Sequence, residues 1–96
     1  MVRHIIVWKL NDEASSSCKK EIKEALESLV GVIDGLVKMS ILTEPLDSSS
    51  GDIAMDSLFE SKEALDFYQK HPKHLEIANG LVRPNVSVRL SFDCEA

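Results

Sequence analysis

Residues His4 to Leu10, His-Ile-Ile-Val-Trp-Lys-Leu, carry apolar side chains on both sides of one short segment. The run is too short for a stable isolated helix and is β-branched at its centre, so it predicts a strand. Side chains alternate across a strand, which puts Val2, Ile6, Trp8 and Leu10 on one face and Ile5 and Val7 on the other. Water is a poor neighbour for either face, so the fold must cover both.

The rest of the chain supplies that cover unequally. Asn11 to Ser17 is polar and serine-rich, which suits a loop ending in a helix cap. From Cys18 the period changes: Ile22, Ala25, Leu26, Leu29, Val30 and Ile33 recur at three and four, opposite Lys19, Lys20, Lys23, Glu24 and Glu27. This predicts an amphipathic helix with a solvated charged face. It fades across Gly31 to Gly35, with Asp34-Gly35 as the stop. Leu36 to Thr43 predicts a second strand, also apolar on both sides, with Val37, Met39 and Ile41 opposite Leu36 and Leu42. Glu44 to Asp52 holds a proline, serines and a glycine and reads as a loop. Ile53 to Glu60 is a third strand, on which Asp52 and Asp56 share a face without making a carboxylate pair.

Ser61 caps a helix over Lys62 to Lys70, which turns either Leu65 and Tyr68 or Ala64 and Phe67 inward. Pro72 cannot continue that helix but suits the first position of another, from Pro72 to Leu81, with Asn79-Gly80 as its end. Asn85 to Asp93 alternates, with Val86, Val88, Leu90 and Phe92 opposite Ser87, Arg89, Ser91 and Asp93. The order is βαββαβ in one domain over residues 1–96: an α+β, ferredoxin-like fold with a four-stranded antiparallel sheet and both helices on one face. An apolar sheet face is then left over. Packing sheet on sheet in a homodimer covers it, and the alternative cover is the loop Glu44 to Asp52.

Composition narrows the partners. Sixteen acidic against eleven basic residues give a net charge of −5, which argues against nucleic acid or an anionic membrane surface. The opening apolar run is too short to span a membrane and no cleavage site follows it, so a cytoplasmic location is expected. Cys18 and Cys94 form no metal-binding pattern and are expected to be free thiols.

Chemistry concentrates in Tyr68 to His74, Tyr-Gln-Lys-His-Pro-Lys-His. The residue before a proline leaves the α region, so His71 marks the break between helices. There its side chain can cap the second helix or contact a ligand. His74 falls in the first turn of the new helix, where the dipole favours neutral imidazole, the form able to accept a proton. His71 and His74 lack a third metal ligand nearby apart from Glu76, so no metal site is expected. His4 shares a strand face with Ile6 and Trp8, as a satisfied core histidine or as a pocket wall. Trp8 is core, or a surface on which a flat ligand stacks.

The opening Val-Arg-His-Ile-Ile-Val-Trp-Lys-Leu, the Phe59-Glu60-Ser61 strand end and the Tyr-x-x-His-Pro-x-His core together resemble the Dabb family, the stress-responsive dimeric α/β-barrel proteins. The resemblance spans essentially the whole chain. It implies a homodimer whose two sheets form a barrel. The reading adopted is a barrel with an apolar pocket between sheet and helices, without a cofactor, that takes a small apolar or carbonyl-containing ligand, with His4, Trp8 and His71 as candidate binding residues. One plant branch of the family cyclises a linear polyketide by aldol condensation with a histidine base and a tyrosine partner. His74 and Tyr68 occupy those positions here, and His4 that of a further pocket histidine. The alternative to a ligand-binding barrel is therefore a cofactor-independent lyase, cyclase or oxygenase with His74 as base and Tyr68 as its partner. The chain departs from that branch at Leu26, where the cyclase has a tyrosine, and at Ile53, where it has a histidine.

Overall fold

A computed structural model describes residues 1–96. Strand β1 spans Val2–Leu10, helix α1 Cys18–Glu27, strand β2 Leu36–Leu42 and strand β3 Ile53–Phe59. Helix α2 follows at Lys62–Lys70 and helix α3 at Pro72–Ile77. A π-helical turn over Ala78–Val82 and a 3₁₀ turn over Arg83–Asn85 lead into strand β4, Val86–Glu95. The strands form one antiparallel sheet in the order β2-β3-β1-β4, the ferredoxin-like arrangement. No helix is long and apolar enough to cross a membrane.

The core lies between the helices and one face of the sheet. Alternation along β1 sends Val2, His4, Ile6 and Trp8 inward, and along β3 it sends Ile53, Met55, Ser57 and Phe59 inward. Ile22 and Leu26 of α1, with Leu65 and Tyr68 of α2, close over them. Of the two faces open to α2, the chain uses Leu65 and Tyr68, and Phe67 points to solvent.

Three local departures from the sequence pattern have identifiable causes. Helix α1 ends at Glu27 although the apolar period runs on. The Ser28 hydroxyl donates to the Ala25 carbonyl at 2.6 Å, and Gly31 enters the left-handed region at φ +85°. Leu29 and Ile33 still reach the core from turns, but Val30 is exposed. In β2 the register shifts between Leu36 and Lys38, so Leu36 joins Met39 and Ile41 on the inner face and Val37 turns out. Asn79-Gly80 does not end the second helical segment; the backbone takes up an extra residue as the π-helical turn and continues to Val82. Gly35 is required twice over. Its φ is +88°, and a Cβ there would lie 2.6 Å from the Cβ of Ala64.

The charged face of α1 is not simply solvated. Lys23 Nζ donates to the Ile41 carbonyl at 2.9 Å, and Glu27 Oε2 accepts the Ile41 N–H at 2.9 Å. Lys23 and Glu27 also pair at 2.8 Å, and Lys19 Nζ donates to the Thr43 carbonyl. Side chains of α1 thus occupy backbone groups that the edge strand β2 would otherwise offer to another chain.

The opposite sheet face has no such cover. Ile5, Val7, Leu58, Leu90 and Phe92 share it, with Ile5 paired to Phe92 and Val7 to Leu90. Leu90 is 67% exposed and Phe92 63%. The loop 44–52 touches this face only at a corner: Gly51 packs so close to Val7 that a Cβ would meet its Cγ1 at 2.3 Å. Leu46, the loop's apolar residue, stays 77% exposed, so the loop does not serve as the cover. Arg3 and Asp56 form a two-pronged ion pair on the same face, at 2.9 and 2.7 Å.

Glu27→Ala removes the acceptor for the Ile41 N–H on a half-exposed edge and is expected to lower stability by about 1 kcal/mol. Chemical denaturation measures this, with the exposed Glu24→Ala as control. Equal midpoints for the two variants would show that the edge contacts contribute nothing.

Candidate functional site

Helix α2 stops because Pro72 offers no N–H, and His71 adopts extended backbone at φ −67°, ψ 135° between the two helices. Its Nδ1 accepts the Lys73 N–H at 3.1 Å, and its ring stands edge-on to Phe67. His71 is thus the cap of α3, one of its two expected roles, and it lies outside the cavity described below. A side chain that caps the first turn is held toward its own helix and cannot also face the sheet.

The redirection at Pro72 brings His74 back over Tyr68. Their ring centroids are 4.3 Å apart at a 39° tilt, and Tyr68 leans in turn on Phe59 at 5.0 Å. His74 Nδ1 lies 3.3 Å from the Gln69 carbonyl. A carbonyl can only accept, so Nδ1 carries the hydrogen, and in the neutral ring Nε2 keeps its lone pair. Burial lowers the affinity of His74 for a proton below the ordinary value, and the charges of His4, Arg89 and Arg83 lower it further. The sequence placed the cause in the helix dipole; burial dominates instead. Burial also raises the Tyr68 phenol well above its ordinary range, so it stays a neutral donor.

A cavity of about 340 Å³ opens beside this pair. His4, Ile6 and Trp8 of β1 and Met55 of β3 form the sheet wall. Leu26, Tyr68, Gln69, His74, Leu75, Ala78 and Val82 form the helical wall. Arg83, Val86 and Arg89 close the side toward β4. Of the five residues singled out from sequence, His4, Trp8, Tyr68 and His74 line this one space. Leu26 contributes to its wall without filling it, and Ile53 lies outside. Sequence reading missed Arg83 and Arg89. Arg89 reaches the cavity because the antiparallel β1–β4 register sets it opposite Trp8 on the inner face, a pairing that the alternation of β4 alone does not reveal.

His4 is held from both neighbouring strands. Its Nδ1 pairs with Asp93 of β4, and its carbonyl accepts the Ser57 hydroxyl of β3 at 2.7 Å. The Asp93 carboxylate keeps the hydrogen on Nδ1 and fixes the ring's orientation. Trp8 is buried, and its Nε1–H has no hydrogen-bond acceptor. An orphaned buried donor of this kind is uncommon. No group of three His, Cys, Asp or Glu side chains comes together to hold a metal ion.

Because His74 binds a proton less readily folded than unfolded, the unfolded state takes up protons first as pH falls below the ordinary value of 6.5. The stability this group contributes is present above that pH and lost as pH drops through the folded value. The carboxylates of Asp56, held down by Arg3, and of Glu27, where Lys23 and the Ile41 N–H outweigh burial, titrate lower still. Melting temperatures measured from about pH 7.5 to about pH 5.5 are expected to fall, and His74→Gln is expected to flatten that limb. An unchanged slope in the variant would remove His74 as the cause.

The chain is similar to a dimeric protein of unknown function with a ferredoxin-like fold from Bacteroides fragilis, at 27% identity over 99% of this chain and 95% of that one, with a TM-score of 0.84. A Dabb family protein with a ferredoxin-like fold from Mesorhizobium loti matches at 20% identity over 99% of this chain and 95% of that one, with a TM-score of 0.81. The hydroxynitrile lyase of Passiflora edulis shares the fold at 17% identity over 97% of this chain and 90% of that one, with a TM-score of 0.82. No curated protein matches the chain. The family described as the Stress responsive A/B Barrel Domain, Dabb, matches residues 2–96, and the chain belongs to that family.

Proposed function

We propose that this protein is a homodimeric barrel that binds a small, largely apolar molecule in the cavity between sheet and helices. The observation that carries the reading is the cavity itself. A chain of this size has few interior side chains to spare, yet it leaves about 340 Å³ unfilled beside them. The wall is mostly apolar, with a few polar groups that converge: the Tyr68 phenol, the His74 imidazole and the Trp8 Nε1–H. That is the usual make-up of a small-ligand site. Two donors and one lone pair suit a ligand carrying a carbonyl group. Cys18 in the core and Cys94, half-buried on β4, are both free thiols, which suits a reducing compartment such as the cytoplasm.

Proton transfer to His74 with Tyr68 as partner, in the manner of a lyase or cyclase, is the weaker reading. Leu26 presents an apolar wall where the plant cyclases carry a tyrosine, and Ile53 stands in for a histidine. An oxygenase role has only Trp8 to recommend it.

The homodimer rests on the uncovered sheet face. Ile5, Val7, Val88, Leu90 and Phe92 form a continuous apolar surface, and burying each large side chain contributes about 1.5–3 kcal/mol. The Arg3–Asp56 pair on the same face satisfies its own charges, so it can be covered without leaving either unpartnered. The similar protein from Bacteroides fragilis is dimeric.

Two measurements test the reading. Light scattering is expected to give about twice the 10.7 kDa of the chain, and Leu90→Asp is expected to give a single chain; a wild-type monomer at micromolar concentration would refute the dimer. An aromatic ketone such as acetophenone is expected to raise the melting temperature, and Ala78→Phe, which fills the cavity, to abolish the rise without disturbing the fold. A rise that persists in Ala78→Phe would place the ligand elsewhere.

A further inference from the structure

We propose that the cavity selects an anionic amphiphile, a small molecule with an apolar body and a single carboxylate, and that Arg83 and Arg89 hold the carboxylate. The inference deepens the binding reading above and depends on it. The chain has more acidic than basic residues, sixteen against eleven, yet no aspartate or glutamate lines the cavity. The lining instead includes two of the chain's three arginines. The third, Arg3, is paired with Asp56 on the other face of the sheet. The remaining ion pairs use His4 with Asp93 and Lys23 with Glu27, so Arg83 and Arg89 have no carboxylate of their own.

Both arginines are placed by backbone geometry rather than by chance exposure. Arg89 stands opposite Trp8 in the β1–β4 register, on the face that looks toward the helices. Arg83 follows the π-helical turn, which carries the chain past Asn79-Gly80 and delivers it to the cavity side of β4. Their charges reach the interior, since both depress the proton affinity of His74. Asp93, on the same face of β4, is engaged by His4, and neither it nor Glu95 lines the cavity.

The polar groups are therefore mostly donors: two guanidinium forks, the Trp8 Nε1–H without an acceptor, and the Tyr68 hydroxyl. A carboxylate offers only acceptors, and a guanidinium matches its two oxygens in one plane. The apolar floor of Ile6, Leu26, Met55 and Val82 leaves space for a short hydrocarbon or aryl body. A dianion would lose more hydration in so apolar a space than two solvent-exposed arginines return, which favours the monoanion.

The test compares 4-phenylbutanoate with its neutral isostere 4-phenylbutanamide, by calorimetry and by the fluorescence of Trp8, the chain's one tryptophan. The acid is expected to bind about tenfold more tightly than the amide. The double variant Arg83→Gln, Arg89→Gln is expected to bring the two affinities together by weakening the acid alone. The double variant Lys20→Gln, Lys62→Gln, which removes an equal charge from exposed positions of α1 and α2, is expected to leave both unchanged. Equal affinities in the wild type would overturn the selection while leaving the cavity as a binding site. Failure of both probes to bind, or binding that persists in Ala78→Phe, would overturn the selection and the binding reading together. If the double variant folds poorly, the single variants Arg83→Lys and Arg89→Lys, which keep the charge and lose the fork, are expected to narrow the acid-to-amide ratio severalfold, and an unchanged ratio in both would overturn the assignment.

Discussion

Two helices cover three strands of a four-stranded sheet, and everything else about this molecule follows from that shortage. Helices α1 and α2 close over the inner faces of β1, β2 and β3, where nearly all the buried side chains lie. No residue of β4 is buried. The strand resolves the shortage by turning Arg89, Ser91 and Asp93 toward the side of the helices and Val88, Leu90 and Phe92 away, while the register shift opposite Lys9 and Leu10 brings Val86 back to the cavity. One choice of face thus leaves a wettable gap beside the helices and an apolar surface behind the sheet. The gap is the cavity, and the surface is the interface proposed for a second copy.

The helix break at Pro72 determines how that gap is furnished. An uninterrupted helix from Lys62 would carry His74 away from the sheet by its own axis. The break lets α3 set off in a new direction, and His74 packs against Tyr68 instead of continuing past it. His71 is spent on the break itself, as the cap of α3. The two histidines are three residues apart and do unrelated work, one for the backbone and one for the cavity.

The order of elements, the strand boundaries and the family motif were all legible in the sequence, because periodicity and proline chemistry are local. Sidedness was not, because β1 is apolar on both faces and the alternation of β4 gave two faces without saying which looks inward. In β2 a single inserted residue after Leu36 reversed the expected grouping of Leu36 and Val37, and nothing local marks such a bulge. Asn79-Gly80 has the chemistry of a helix end, yet the chain absorbs it as a π-helical turn because Val82 packs into the core beyond it. Four cavity residues were found because histidine, tyrosine and tryptophan stand out against an apolar pattern. Arg83 and Arg89 do not stand out, since a charged residue on a strand edge or turn ordinarily means solvent.

Because β4 borders both features, the proposed interface and the cavity would be energetically connected. In a single chain β4 is held by its ladder to β1 and by the His4–Asp93 pair, with a register shift between Lys9 and Leu10 weakening one end. Such an uncovered edge strand belongs to the part of a fold that opens first. Covering Val88, Leu90 and Phe92 with a partner's sheet stabilises β4 without touching the cavity side. Arg89 and Val86 would then be held where the proposed ligand needs them, and less ordering would remain to be done on binding. By linkage, a ligand that gathers β4 against α3 also favours the paired chains. The two apolar demands of β1, one on each face, are in this way met by two different means that share a single strand.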